Sequence, residues 1–200
     1  MISSLPHSML LGGPAAALVF GVGVTWLGVI RPGYSAVRQT VSELGPLGDR
    51  GRTSLAVLNL IVALSAISFA FGLLAIAKQS ASTSAPAYFM GVYAILAVGL
   101  AAFPGGHPLH NVFGLLQTFP FVGAPLAVAL GWRGQGGAVT AVSWVALVLL
   151  VTAMALNLAP PFSPRLAKAL EPVYGLAQRS IFVAWHGWCA VLGVLLFMRS

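Results

Sequence analysis

Few side chains in this chain could do chemistry, and they gather in three short stretches. The first runs from Tyr34 to Arg52 and carries Arg38, Gln39 and Glu43. The second is the break Pro104-Gly105-Gly106-His107-Pro108, with His110 just beyond it. The third is Gln178-Arg179, followed by His186. A carboxylate such as Glu43 and an imidazole such as His110 suit acid/base or hydrogen-bonding roles, provided one is tuned toward neutral pH. Arginines such as Arg38 and Arg179 suit an anionic head group. His107, His110 and His186 offer three imidazoles, the number of protein ligands in many zinc hydrolases. There is no HExxH, and Glu43, Asp49 and Glu171 are the chain's whole stock of acids. No cofactor is therefore expected, zinc and haem included. No P-loop, dinucleotide fingerprint or GxSxG is present, so nucleotide-driven and serine-hydrolase chemistry have no support. Cys189 is the single cysteine, which excludes a disulfide scaffold.

The elements that must position these residues are membrane helices. Of 200 residues, 58% are hydrophobic and 6% charged, against about a quarter charged in soluble domains. Apolar runs of about 20 residues, the length needed to cross a bilayer, recur six times, at approximately 10–30, 54–77, 87–103, 109–130, 138–158 and 174–198. The stretch Met1 to Ser8 has no Lys or Arg, so the first run reads as an uncleaved span rather than a signal peptide. Backbone groups in lipid must be satisfied internally, so every span is a helix. The expected fold is an all-α, polytopic six-helix bundle forming a single transmembrane domain, with a short interfacial helix in the first loop. The net charge of +7 is scattered singly through the loops. That suits anionic lipid head groups and gives no nucleic-acid stripe. Seven basic residues (Arg31, Arg38, Arg50, Arg52, Arg165, Lys168, Arg179) fall on the odd-loop side, against Lys78, Arg133 and Arg199 on the other. The positive-inside rule then places the odd loops in the cytoplasm and both termini outside, in a bacterial-type plasma membrane.

Nearly all the unusual polar residues fall on that odd-loop side, as a site opening at one membrane face would require. In the first loop, Ser35 as N-cap and Gly45 as C′ residue predict a short helix, with Val37, Val41 and Leu44 on one stripe and Gln39 and Glu43 on another face. Arg38 and Glu43 are about 140° apart on such a helix and poorly placed to pair. Glu43 either finds a partner elsewhere or closes a capping box with Thr40. In span four, His110, Gly114, Gln117 and Phe121 share a face, with Asn111 and Thr118 beside it. Such a stripe faces either other helices or a cavity. In span six His186 lies about 10 Å deeper than Arg179 on the same face, with Glu43, Arg179 or a polar ligand as expected partner.

The segment PGYSAVRQTVSELG after span one, FP ending span three, a histidine opening span four and GLAQR entering span six resemble the domain-of-unknown-function 998 family. The similarity covers essentially the whole chain. The resemblance implies that Tyr34, Ser35, Arg38, Ser42, Glu43, His110, Gln178 and Arg179 are the family's recurring polar positions. It also implies an acid shortly after the FP pair, where this chain has Gly105 and Gly106. It supplies no reaction. The expected function is a polar pocket at one membrane face, in a small membrane-embedded enzyme or binding protein for a lipid-like or isoprenoid-like molecule. Glu43 and His110 would be the catalytic groups, with Tyr34, Ser35, Arg38, Ser42, Gln117, Gln178, Arg179 and His186 around the ligand. A structural protein whose polar cluster ties helices together is the alternative, and a small transporter, lacking any visible internal repeat, comes third. Membrane lipids are the expected partners.

Overall fold

The computed structural model describes residues 7–199. Among these the chain forms α1 (Gly12–Ile30), α2 (Gly51–Gln79), α3 (Ala85–Ala102), α4 (Pro108–Leu116), α5 (Thr118–Gly131), α6 (Gly137–Leu158), α7 (Pro164–Leu170) and α8 (Tyr174–Phe197), with no strand. Six stretches are long and apolar enough to cross a membrane: Met9–Ile30, Gly51–Gln79, Ala85–Ala102, Pro108–Gly131, Gly137–Leu158 and Pro164–Phe197. The protein is an integral membrane protein. Leu18, Val29, Leu64, Ile95, Val148 and Val183 are exposed on the outside of the bundle, a surface that suits acyl chains and not water.

The spans close into a ring in chain order, α1 against α2, α2 against α3, α3 against α5, α5 against α6, α6 against α8, and α8 back against α1. The first loop, the Pro104–His107 break and the approach to α8 thus meet at one end. Local chemistry sets the breaks. Pro86 opens α3 and Pro108 opens α4, where a missing N–H is harmless. Gly106 turns the chain between them at φ +87°, and the His107 side chain caps α4 by accepting from Leu109 N–H at 3.1 Å. Span four is interrupted at Gln117, because Pro120 has no N–H to offer the Leu116 carbonyl.

The first loop departs from expectation. The Val37, Val41, Leu44 periodicity forms no α-helix. The chain turns at 36–38 and then makes a single 3-10 turn, Ser42–Leu44. Gly45 has φ −151° and is no left-handed C′ residue. Its neighbours leave it no room for a side chain, since a Cβ there would meet the Gly51 carbonyl at 2.8 Å.

The two ends of the bundle are filled differently. Toward the termini, Leu10, Phe69, Leu73, Trp132, Leu192 and Leu196 are fully buried. At mid-depth Trp185 packs on Phe121 (4.9 Å between centroids), Tyr93 (5.0 Å) and Trp188 (5.4 Å). Glycine allows α1 and α8 to approach within backbone contact, as small residues do in membrane bundles. A Cβ on Gly13 would stand 2.3 Å from the Cys189 carbonyl oxygen, whereas one on Gly21 would meet nothing within 4 Å. Gly13→Ala should therefore destabilise the detergent-solubilised protein by roughly 1–3 kcal/mol, the usual cost of overpacking, with Gly21→Ala neutral or slightly stabilising. Thermal unfolding checks this, and equal midpoints for the two variants would contradict the close α1–α8 contact.

Candidate functional site

The polar residues of the loop end form two separate structures, a latch and a cavity. The latch is built on Arg179, near the start of α8. Its Nη1 donates to the carbonyls of Gln39 (2.7 Å), Ala36 (2.8 Å) and Gly175 (3.1 Å), its Nη2 donates to the Tyr34 hydroxyl, and the guanidinium lies 5.6 Å from the Tyr34 ring centroid. Tyr34 passes the chain on by donating to the Thr40 carbonyl at 2.8 Å. Leu176 N–H donates to the Val37 carbonyl (3.1 Å), and Val41 N–H donates to Gln178 Oε1 (2.7 Å). Gly175 must be glycine here, because a Cβ would meet Gln39 O at 2.4 Å and Ala36 O at 2.6 Å.

Glu43 belongs to the latch as well. Its Oε1 accepts from the backbone N–H and the hydroxyl of Thr40, each at 2.8 Å, and its Oε2 accepts from Gln39 at 3.2 Å. Gln39 in turn accepts from Ser35 N–H through Oε1 at 2.8 Å. Partial burial works to raise the Glu43 carboxyl, but the hydrogen bonds from Thr40 and Gln39, with Arg31 nearby, outweigh it and hold the pKa below its ordinary value. Asp49 is also lowered, first by the Gly51 N–H and then by Arg31, with which it forms a two-pronged pair at 2.9 and 3.0 Å.

The cavity lies beside the latch, inside the ring, with a volume of about 560 Å³. Its walls are mostly apolar, with Phe20, Leu55, Phe121, Met154, Ile181 and Phe182 among them. Val41, Ser42, Gly45, Pro104 and Gly105 roof it, and the roof is tied by a hydrogen bond from Leu47 N–H to the Gly105 carbonyl at 2.7 Å. Arg52 and His110 stand at the mouth. Arg52 is exposed, and its side chain has no hydrogen-bond or ion-pair partner among the described residues, its N–H donating to the Asp49 carbonyl at 3.2 Å. His110 Nδ1 lies 2.8 Å from the Phe103 carbonyl oxygen, so Nδ1–H donates there and Nε2 is left to accept.

The stripe read from the sequence of span four is realised. His110, Gly114, Gln117 and Phe121 all line the cavity, with Asn111 and Thr118 beside them, and Gly114 faces open space. Ser42 and Gln178 line it too. Glu43, Tyr34, Ser35 and Arg179 are part of the latch instead, and the Arg38 side chain is exposed with no partner among the described residues. The expected pairing of Glu43 with a distant group is replaced by the capping contact with Thr40, because the loop folds back on itself. His186 does not reach Glu43 or Arg179 either. It is buried behind the cavity, where Nδ1–H donates to the Phe182 carbonyl (3.0 Å), Nε2 faces the Tyr93 hydroxyl (3.1 Å) and the ring stacks on Phe20. His107, His110 and His186 therefore do not converge, and no group of three metal-ligating side chains occurs among the described residues. Sequence reasoning missed Arg52, Asn59, Tyr93 and Asn157 as lining residues. A lone amide eight residues into the apolar α2 was the available signal for Asn59.

The family described as protein of unknown function, DUF998, matches residues 14–195. The chain belongs to the DUF998 family. No curated protein and no solved structure matches it. In this DUF998 chain, Gly105 at the position after the FP pair supports the roof through its carbonyl, and His107 is occupied as the cap of α4.

Removing the latch should loosen the first loop. Arg179→Ala is expected to lower stability by roughly 1–3 kcal/mol, the usual penalty for carbonyls left without donors, and to open residues 31–50 to limited proteolysis at temperatures where the wild type resists. The lowered carboxyls give a second expectation. The unfolded chain takes up these protons more readily than the fold does, so their stabilisation is complete above the ordinary values of 4.5 for Glu43 and 3.8 for Asp49 and is lost as pH falls below them. The thermal midpoint should fall over that acidic window, and less so in a Glu43→Gln, Asp49→Asn double variant. A variant with the wild-type acid slope would refute the assignment.

Proposed function

We propose that this membrane protein holds one lipid-like or isoprenoid-like amphiphile, its anionic head at the mouth against Arg52 and His110 and its apolar body within the ring. The observation that carries this reading is the cavity itself. It has the size of ordinary small-molecule sites and is open at the loop end. Its apolar walls hold two amides, Asn59 and Gln117, whose side chains have no partner among the described residues. Among the described residues Arg52 is the only charged one lining the cavity, so the mouth favours an anion. Arg38 and Arg179 give up the head-binding role expected of them, Arg38 because it does not line the cavity and Arg179 because it holds the loop.

His110 gives the site a catalytic option. An imidazole fixed through Nδ1 by a carbonyl presents Nε2 as acceptor to a hydroxyl or phosphate P–OH of the head, the arrangement used in general acid–base chemistry, while the anionic oxygens fall to Arg52. Glu43, enclosed by Thr40 and Gln39, is a loop-shaping group in this reading. The concentration of basic residues at the loop end supports a cytoplasmic mouth in a bacterial-type plasma membrane. A purely structural role is favoured by one observation, that Arg179, Glu43 and Tyr34 are consumed within the latch.

Binding of stearate and octadecyl phosphate to protein in nanodiscs, with octadecanol as the neutral control, separates these readings. Both anions should bind more tightly than the alcohol, and Arg52→Ala should weaken them about tenfold, as for a lost charged hydrogen bond. Gly114→Leu places a side chain in open space, so it should block binding while leaving the thermal midpoint near wild type. Equal, Arg52-independent binding of all three would favour the structural role.

A further inference from the structure

We infer, resting on that reading, that the ligand carries a second, uncharged hydrogen-bonding group about 10 Å below its head, held by Asn59 and Gln117 at the level of Tyr93. Gln117 is 4% exposed, lines the cavity and makes no side-chain hydrogen bond among the described residues. Its backbone is satisfied, N–H to the Phe113 carbonyl at 3.2 Å and carbonyl from Phe121 N–H at 3.1 Å, so the groups left over are those of the amide alone. Asn59 likewise lines the cavity without a partner among the described residues. Other polar side chains inside the spans find the helix backbone: Thr25 bonds to the Gly21 carbonyl, Ser65 to Ile61, Ser143 to Val139 and Asn157 to both Ala153 and Ala177. The Gln117 amide opens only on the cavity, and an alkyl chain filling that space would leave it without a partner, at a penalty. A bound group that matched it would remove that penalty.

Spacing places this subsite. Arg52 precedes Asn59 by seven residues on α2, and His110 precedes Gln117 by seven on span four. Two turns of helix are about 10 Å, so both helices set an amide at the same depth below a mouth residue. Tyr93 closes the far side. With His186 Nδ1–H directed at Phe182, the Tyr93 hydroxyl donates to Nε2, so Tyr93 bounds the subsite without lending it a donor. The subsite thus offers two amides, with no charge. A hydroxyl, carbonyl or amide on the ligand fits it, and a plain alkyl chain leaves it unsatisfied.

The test compares stearate with stearate bearing a mid-chain hydroxyl, bound to the full chain in nanodiscs and read by native mass spectrometry in competition. The wild type should prefer the hydroxylated probe by about tenfold, the usual penalty for one unmet buried hydrogen bond. Asn59→Leu and Gln117→Leu should bring the two probes to parity by weakening the hydroxylated one. Gln117→Met, closer in shape, should do the same if the leucine variant fails to fold. Arg52→Ala should weaken both probes and keep their ratio. Equal binding of the two probes by the wild type would overturn the inference while leaving the head site standing, the amides then being wetted by water alone. Failure of both probes to outbind octadecanol would overturn the head site and this subsite with it.

Discussion

The guanidinium of Arg179 is the interaction on which the loop end depends. The first loop enters the bundle with almost no regular structure, so its carbonyls lack the partners that a helix would supply. One planar group with several donors serves two of them, at Ala36 and Gln39, bonds back to Gly175 of its own helix and fixes Tyr34 as well. Lysine has the charge but not the fixed fan of donors. Because Val41, Ser42 and Gly45 continue from this anchored stretch to form the cavity roof, the shape of the cavity mouth follows from a contact between residues 140 positions apart.

The division of labour between latch and cavity explains why so polar a cluster can sit in so apolar a chain. Arg179, Glu43 and Tyr34 are used up where the loop needs them, and Arg31 with Asp49 pins the start of α2 in the same way, while Arg52 is left at the mouth. Inside the ring the remaining polar groups are neutral amides and hydroxyls, with His110 at the mouth. The termini half of the bundle core holds the fully buried Leu10, Phe69, Leu73, Trp132, Leu192 and Leu196, and Trp185 with its aromatic neighbours lies between them and the cavity. The cavity therefore belongs to one half of the membrane, and its floor is an aromatic layer.

Much of the architecture was legible in the sequence because an apolar run long enough to span a bilayer declares itself without tertiary context. The helix ends lie within three residues of the boundaries expected from hydropathy. The His110, Gly114, Gln117, Phe121 stripe was legible for the same reason, since helical periodicity survives the break at Gln117. The first loop was not. Val37 and Val41 have the spacing of a helix face, yet their backbones bond to Leu176 and Gln178, which no local pattern announces. His186 was legible as unusual, but its partner Tyr93 lies 93 positions away. Arg52 read as an ordinary loop charge because only the ring geometry turns it toward the mouth.

A structure of the protein extracted directly into native-lipid nanodiscs, at a resolution that separates a lipid chain from ordered water, tests the central claim most directly. The account expects one continuous elongated density in the ring. It should begin beside Arg52 and His110 and pass Gly114, with a branch or bulge against the amides of Gln117 and Asn59. Isolated water peaks alone, or a cavity closed by inward movement of Phe20 and Phe182, would contradict it.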